Sequence, residues 1–306
     1  FLQAKILYVS CVTIEPFLRH LVELIDMPEL AYVNGAFVEL SEARISVEDR
    51  GYQFADSVYE VIGTYNGQPF ALEEHLVRLQ HSLDELSIKL NVSDYGIGKK
   101  VSVGIALAGF EETLVYVQVT RGVAPRRHEF PSSQTHPSIV ITFKPLERLS
   151  QNIFKTGVEV VSLPDLRWKR CDIKSTALLA NVLAKQEAAK QGAFEALLVD
   201  TDGYITEGSS TSVFWVNRGI LCTTPSGEHI LPSITRKILW EVATELQLET
   251  RQYSCSLDDL LQADEVILAG TTTEALSVIR IDSKQIGKGI PGPISQKLRM
   301  AFLKHC

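Results

Sequence analysis

Lys174 occupies an awkward place for a charged residue. It falls in RWKRCDIKSTALLAN (167–181), just before an apolar run from Ala177 to Ala184 that only Asn181 interrupts. An ammonium group held among apolar neighbours loses hydration. Its pKa then falls, and the free amine becomes a nucleophile able to form a Schiff base with an aldehyde. Lysine is rarely fully buried, however, and a lysine at a helix start commonly stays solvated. The neighbours of Lys174 leave both readings open. Glu207, in ITEGSSTSVF, is a second candidate. Gly208 lets the chain turn or bulge at a strand end, and Ser209, Ser210, Thr211 and Ser212 then place four hydroxyls in a row. That pattern suits an ordinary polar loop, or an acid facing a site beside donors for an anion. ILPSITRK (230–237) enters a helix with Ile234 and Thr235 at its N-terminus, and AGTTTEAL (269–276) follows a strand with three threonines. N–H groups at a helix start, with hydroxyls nearby, form an anion site. Neither segment has the G-x-x-x-x-G-K spacing of a nucleotide phosphate loop. RGVAPRRHEFP carries Arg121, Arg126, Arg127 and His128, where a guanidinium either grips a carboxylate through two hydrogen bonds or stays solvated. Tyr59, in SVYEV, reads by default as a half-buried sheet tyrosine, and Arg78 as a helix residue paired with an acid.

These residues need elements to hold them. YVNGAFVEL (32–40) signals a hairpin through Asn34-Gly35, and SVYEVIGTYNGQPFAL (57–72) repeats the device at Asn66-Gly67. The near-helical spacing of Leu76, Leu79, Leu83, Leu86 and Ile88 predicts a helix over 73–88, and a second is expected over 94–109. Strands follow at 113–122 and 138–145, separated by the Pro-, Arg- and His-containing loop 123–137. FKPLERLSQN (143–152) reads as a connector. Beyond it come a strand at 157–164, a helix at 176–191 stopped by Gly192, and three strands in 194–225 with turns at Asp202-Gly203 and Asn217-Arg218-Gly219. A helix begins near Thr235, strands are expected at 264–270 and 274–282, and a last helix at 293–304. Strand clusters with hairpin-length links point to an α+β fold with mainly antiparallel sheets. The expected divisions are an N-terminal extension of uncertain role at 1–30, a small α+β domain at 31–148 and a large domain at 149–306.

Composition narrows the partners. The 306 residues are 45% hydrophobic, enough for a substantial core, and the net charge is −7. An acidic chain without a basic block offers no footprint for nucleic acid or an anionic membrane. The five cysteines are scattered and form no C-x-x-C pair, which excludes a disulfide framework or a zinc site and suits a reducing cytoplasm. No window reaches the roughly 18 apolar residues of a membrane span, and the first 30 residues lack the basic start and cleavage site of a signal peptide. Small molecules or another protein chain are the expected partners, with no metal.

Taken in order, EDRGYQFADSVYEV, EHLVRL, QVTRGVAPRRHEFP, RWKRCDIKSTALLANVLAKQEA, TEGSSTSVF, ILPSITR and AGTTTEA resemble the fold-type-IV pyridoxal-phosphate enzymes. That group includes branched-chain and D-amino-acid aminotransferases and aminodeoxychorismate lyase. The resemblance is closest to the bacterial D-amino-acid aminotransferases and covers about residues 31–304. It implies a two-domain enzyme with the cofactor between the domains and Lys174 as the Schiff-base lysine. Glu207 would face the pyridine nitrogen. Arg78, Ser210, Ile234, Thr235 and Thr271 would hold the phosphate, and Leu231 would pack on the ring. Tyr59, Arg126 and His128 would bind the substrate α-carboxylate. In the family the arginine and histidine come from the neighbouring subunit, which implies a homodimer. The implied reaction is transamination between a D-amino acid such as D-alanine and a 2-oxo acid such as 2-oxoglutarate. The alternatives are a branched-chain L-amino-acid or (R)-amine transaminase, a lyase, or a cofactor-binding protein without turnover. The intact R-x-H spacing at Arg126 and His128 favours the first. Ala55 and Ser57 replace the family's usual glycines, Pro232-Ser233 a common lysine-glycine pair, and Gly270 a common serine.

Overall fold

The computed structural model describes residues 29–306. The extension expected at 1–30 therefore lies outside the described residues except for Glu29 and Leu30, the second of which already opens the first strand. Two sheets organise the rest. The first has six strands: β1 (Leu30–Val33), β2 (Ala36–Glu39), β3 (Ser57–Tyr65), β4 (Gln68–Pro69), β5 (Thr113–Thr120) and β6 (Ser138–Pro145). Their order is β2-β1-β6-β5-β3-β4, with every pairing antiparallel. Both Asn-Gly turns form as expected. Asn34, Gly35, Asn66 and Gly67 all take positive φ, the backbone a two-residue hairpin needs.

Helices α1 (Arg50–Phe54), α2 (Leu72–Glu85) and α3 (Ile97–Ala108) accompany this sheet. Leu79 and Leu83 of α2, with Val101 and Ile105 of α3, bury against Val58, Ile62, Val117 and Ile141 of the strands. α3 rests directly on the sheet at Gly104, where a Cβ would lie 1.9 Å from the Phe143 ring. Only glycine permits that approach.

The second sheet has nine strands: β7 (Val158–Pro164), β8 (Glu195–Val199), β9 (Ile205–Gly208), β10 (Ser212–Asn217), β11 (Ile220–Thr223), β12 (Thr250–Gln252), β13 (Glu265–Gly270), β14 (Glu274–Ile281) and β15 (Lys284–Gln285). Antiparallel pairs predominate, but β7 runs parallel to both β8 and β14, and β11 parallel to β12. The helices around it are α4 (Gln151–Thr156), α5 (Leu179–Lys190), α6 (Ile234–Glu245), α7 (Leu257–Leu260) and α8 (Pro293–Phe302). Leu239 and Val242 of α6, with Leu298 and Phe302 of α8, cover Phe214, Val216 and Ile267 on one face. Trp215, Val266, Leu268 and Leu276 pack on the other with Leu260 of α7.

Three expectations change. The span 194–225 holds four strands, because the middle one breaks at Ser209–Thr211, where the chain leaves β9 and re-enters the sheet as β10. The connector 143–152 leads into α4, a helix the sequence reading omits. The run Ala177–Ala184 does not build core. α5 starts only at Leu179, and Leu179, Val182 and Leu183 are 73%, 58% and 61% exposed. The helix starts late because residues 174–176 are held extended against β3. Among the described residues no helix is long and apolar enough to cross a membrane.

Candidate active site

One cavity of about 420 Å³ lies where the two sheets meet. Tyr59 of β3 and Arg78 of α2 reach it from the first sheet. From the second come Glu207 at the end of β9, Ser210 after it, Leu231 before α6, Ile234 and Thr235 at the α6 N-terminus, and Thr271 after β13. Lys174 lines the same space. Nine of the eleven residues to which the resemblance gives a role thus line one cavity.

Lys174 is fixed by its backbone. Its carbonyl accepts the Tyr59 N–H at 2.9 Å, its own N–H donates to Ser82 Oγ at 3.1 Å, and Ser175 forms an antiparallel bridge with Val58. The amine rests 4.4 Å from the centroid of the Tyr59 ring. Burial, with Arg78 adding repulsion, lowers its pKa from the usual lysine value to about 8, while Glu60 and Glu207 pull the other way. At pH 7 about a tenth of Lys174 is then the neutral, nucleophilic amine, far more than for an ordinary lysine.

Glu207 is buried. Its carboxylate accepts from the Arg167 guanidinium and from the Leu231 N–H at 3.2 and 3.3 Å. Burial pushes its pKa up, and Arg167 and the Leu231 N–H oppose that push. Arg167 is itself held by Asp165, at 2.9 and 2.7 Å, and by the His229 carbonyl. Sequence reasoning missed Arg167. Its signal was the short Asp165-x-Arg167 pair, but its reach to Glu207 forty residues away is visible only in the fold.

The anion end has open donors. The N–H groups of Ile234 and Thr235 have no protein acceptor among the described residues, and neither do the hydroxyls of Thr235, Thr271 and Thr272. Ser233 caps α6 by accepting the Arg236 N–H at 3.2 Å, which leaves the first two N–H groups of the helix free to meet an anion. Ser210 differs, since its hydroxyl donates to Glu195 at 2.7 Å, and the Ser209 hydroxyl donates to the other oxygen of the same carboxylate. Glu195 is fully buried beneath the hydroxyl run, and sequence reasoning missed it too. Arg78 also spends most of its donors on protein, gripping both Glu60 oxygens at 2.7 Å and the Pro232 carbonyl at 3.0 Å. That grip and the His75 contact hold the Glu60 carboxyl down at about 2 despite its burial.

Arg126 and His128 do not enter this cavity. They are exposed on the loop after β5 and lie against Phe54, with the Arg126 guanidinium 4.9 Å and the His128 ring 5.4 Å from its centroid. Arg50 anchors the loop by donating to the Arg127 carbonyl at 2.6 Å. Gly270 leaves modest room. A Cβ there would meet its nearest neighbours at 3.6 Å, ordinary contact. Among the described residues there is no cluster of His, Cys, Asp and Glu that could hold a metal ion.

Residues 57–281 match the family described as amino-transferase class IV. A D-alanine aminotransferase of Bacillus licheniformis is 40% identical over 272 residues, 88% of this chain and 94% of that protein. One from Staphylococcus aureus strain MSSA476 is 38% identical over 277 residues, 90% of this chain and 98% of that protein. Among solved structures, a T.th. branched-chain amino acid aminotransferase with pyridoxamine 5'-phosphate superposes with a TM-score of 0.82 at 27% identity, covering 90% of this chain and 93% of that one. The chain belongs to the class IV amino-transferase family.

Proposed function

We propose that this chain is a pyridoxal-phosphate-dependent transaminase that moves the amino group of a D-amino acid, such as D-alanine, to a 2-oxo acid, such as 2-oxoglutarate. The observation that carries the reading is the single cavity holding a lysine of lowered pKa, a buried carboxylate and free N–H and hydroxyl donors. That donor set fits the cofactor: an amine for its aldehyde, a carboxylate for its ring nitrogen and a helix start for its phosphate. When bound, pyridoxal phosphate supplies the electron sink that takes up the charge left at the substrate α-carbon.

The chain's own groups do the rest. Lys174 Nζ would hold the cofactor aldehyde at rest and, once the substrate amine displaces it, would be the free base that moves a proton off and onto the substrate α-carbon. Glu207, gripped by the guanidinium of Arg167, would face the ring nitrogen and hold a proton there. Ile234, Thr235 and Thr271 grip the phosphate. Arg78 adds positive charge beside it, and Ser210 adds its backbone N–H or, on releasing Glu195, its hydroxyl. Leu231 covers the ring while its N–H fixes Glu207. Tyr59 presents a hydroxyl to the substrate α-carboxylate.

Arg126 and His128 complete that grip from a second subunit, which makes the working unit a homodimer. Their exposure, and the uncovered apolar residues Leu179, Val182 and Leu183 on α5, support this reading. The cytoplasm supplies both substrate classes and keeps the cysteines reduced.

The rival within the family is a branched-chain L-amino-acid transaminase, in line with the activity named for the T.th. neighbour. The D-alanine assignment is favoured by the 40% and 38% identities and by the R-x-H loop. A binding protein without turnover would need neither the lysine nor the buried acid. Purified protein loaded with pyridoxal phosphate should be yellow and bleach with D-alanine, but not with L-alanine or L-leucine. Bleaching by L-leucine alone would transfer the assignment to the rival.

A further inference from the structure

The Lys174 segment follows the connector in sequence, yet it is docked on the first sheet. Ile173 belongs to the apolar cluster of Val58, Leu79 and Leu83. The Tyr59 N–H donates to the Lys174 carbonyl at 2.9 Å and the Thr176 N–H to the Ser57 carbonyl at 3.1 Å. The anion cup, in contrast, is carried by the second sheet. Whatever fixes residues 174–176 to β3 therefore sets where the amine stands relative to that cup.

Side chains reinforce the backbone pairing. Ser57 is fully buried, and its hydroxyl meets the Thr176 hydroxyl. The Thr176 hydroxyl also donates to the Ala55 carbonyl at 3.3 Å, and Gln118 Nε2 donates to Ser57 Oγ at 3.3 Å. Gln118 Oε1 accepts from the Tyr116 hydroxyl at 2.9 Å, and the Tyr116 ring stacks on Tyr59 with centroids 5.5 Å apart. Tyr59 lies under the lysine amine at 4.4 Å, which closes a ring of contacts from lysine segment to lysine amine. Half-buried and buried hydroxyls that each find a partner favour one geometry, because breaking a link leaves a polar group short of a partner.

We infer that Ser57 and Thr176 are positioning residues: their hydroxyl contact pins the Lys174 segment to β3 and holds the amine over the Tyr59 ring. Neither touches the cavity. Loosening the pin admits water to the amine. The charged groups that face it are Arg78 from α2, Glu60 from β3 and Glu207 from β9, and burial dominates over all three. Release from burial therefore moves the amine's titration upward, toward that of a free lysine.

The inference about turnover rests on the proposed transamination, but its first readout does not. Full-length protein stripped of cofactor is labelled at Lys174 with an amine-reactive reagent across pH. Wild type should titrate near 8, and Thr176→Val should titrate higher by about half a unit or more. In the reloaded enzyme, Thr176→Val should lower kcat for D-alanine about tenfold with KM little changed, as misplacement of a reacting group does. Thr176→Ser keeps the hydroxyl and should restore both readouts. Ser57→Ala breaks the same contact from the other side and should reproduce the Thr176→Val shift, which covers the case in which Thr176→Val does not fold. An unchanged labelling profile in either folded hydroxyl-deletion variant would overturn the inference, as would Thr176→Ser behaving like Thr176→Val. If wild type titrates near 8 yet never turns over D-alanine, the substrate assignment falls while the positioning result stands.

Discussion

The anion cup and the Arg126–His128 loop are both needed for the proposed reaction, but they are built in opposite ways. The cup is finished within one chain. Its lysine is held by β3 and α2, its carboxylate by Arg167 and Leu231, and its helix start by a serine cap. The loop is shaped just as firmly, with Arg50 anchoring its backbone, yet its functional side chains stand outside their own chain's cavity. One region has its ligand chemistry preorganised on rigid elements. The other presents a rigid grip that, on the proposed reading, works only against a second copy. Cofactor binding should therefore survive damage to the loop, whereas damage to the cup should abolish everything downstream.

Substitutions can break this contrast in graded steps. Lys174→Ala removes anchor and base together, and transaminase turnover should fall about 10⁴-fold or more in a steady-state assay. Arg167→Met leaves Glu207 buried without its guanidinium partner, so the carboxyl protonates more readily and stops holding the ring nitrogen charged. Turnover should drop about a hundredfold, with the visible band altered, because a charged hydrogen bond worth roughly 2–3 kcal/mol is lost. Arg126→Ala should keep the colour and raise KM for D-alanine about 10- to 100-fold, the scale of one lost guanidinium–carboxylate contact. Retained colour with weakened substrate binding is the result that separates loop from cup.

The smallest effect lies at the joint between them. Ala55 ends α1 with φ of 55°, one residue after the Phe54 that supports the loop and two before Ser57. That left-handed backbone suits glycine, and Ala55→Gly should raise stability by about 0.5–1 kcal/mol, read as a higher Tm, with turnover unchanged.

The same contrast explains what could be read from the sequence. The Asn-Gly hairpins, the leucine spacing of α2 and the strand at 138–145 were legible because local residue chemistry decides them. The residues that line the cavity together were reached only through the resemblance that seven short motifs carry in order. Arg167 and Glu195 were not, since each acts on a residue far along the chain through a contact that only folding creates. The split between β9 and β10 was hidden because Ser209 and Thr211 are polar yet buried, with the hydroxyls of Ser209 and Ser210 spent on Glu195. The run Ala177–Ala184 misled for a related reason. Hydrophobicity shows that a surface asks for cover, but not whether the cover comes from the same chain.

Subunit mixing tests the shared site most directly. Lys174→Ala and Arg126→Ala chains, each nearly inactive on D-alanine at low substrate, are unfolded together and refolded. In a mixed dimer one cavity carries both lesions and the other carries neither. Random pairing should then restore about a quarter of wild-type activity, since half of the dimers are mixed and each has one intact cavity. Activity no higher than the sum of the two parents, with mixed dimers shown to be present, would mean that each loop serves its own chain, contradicting the account.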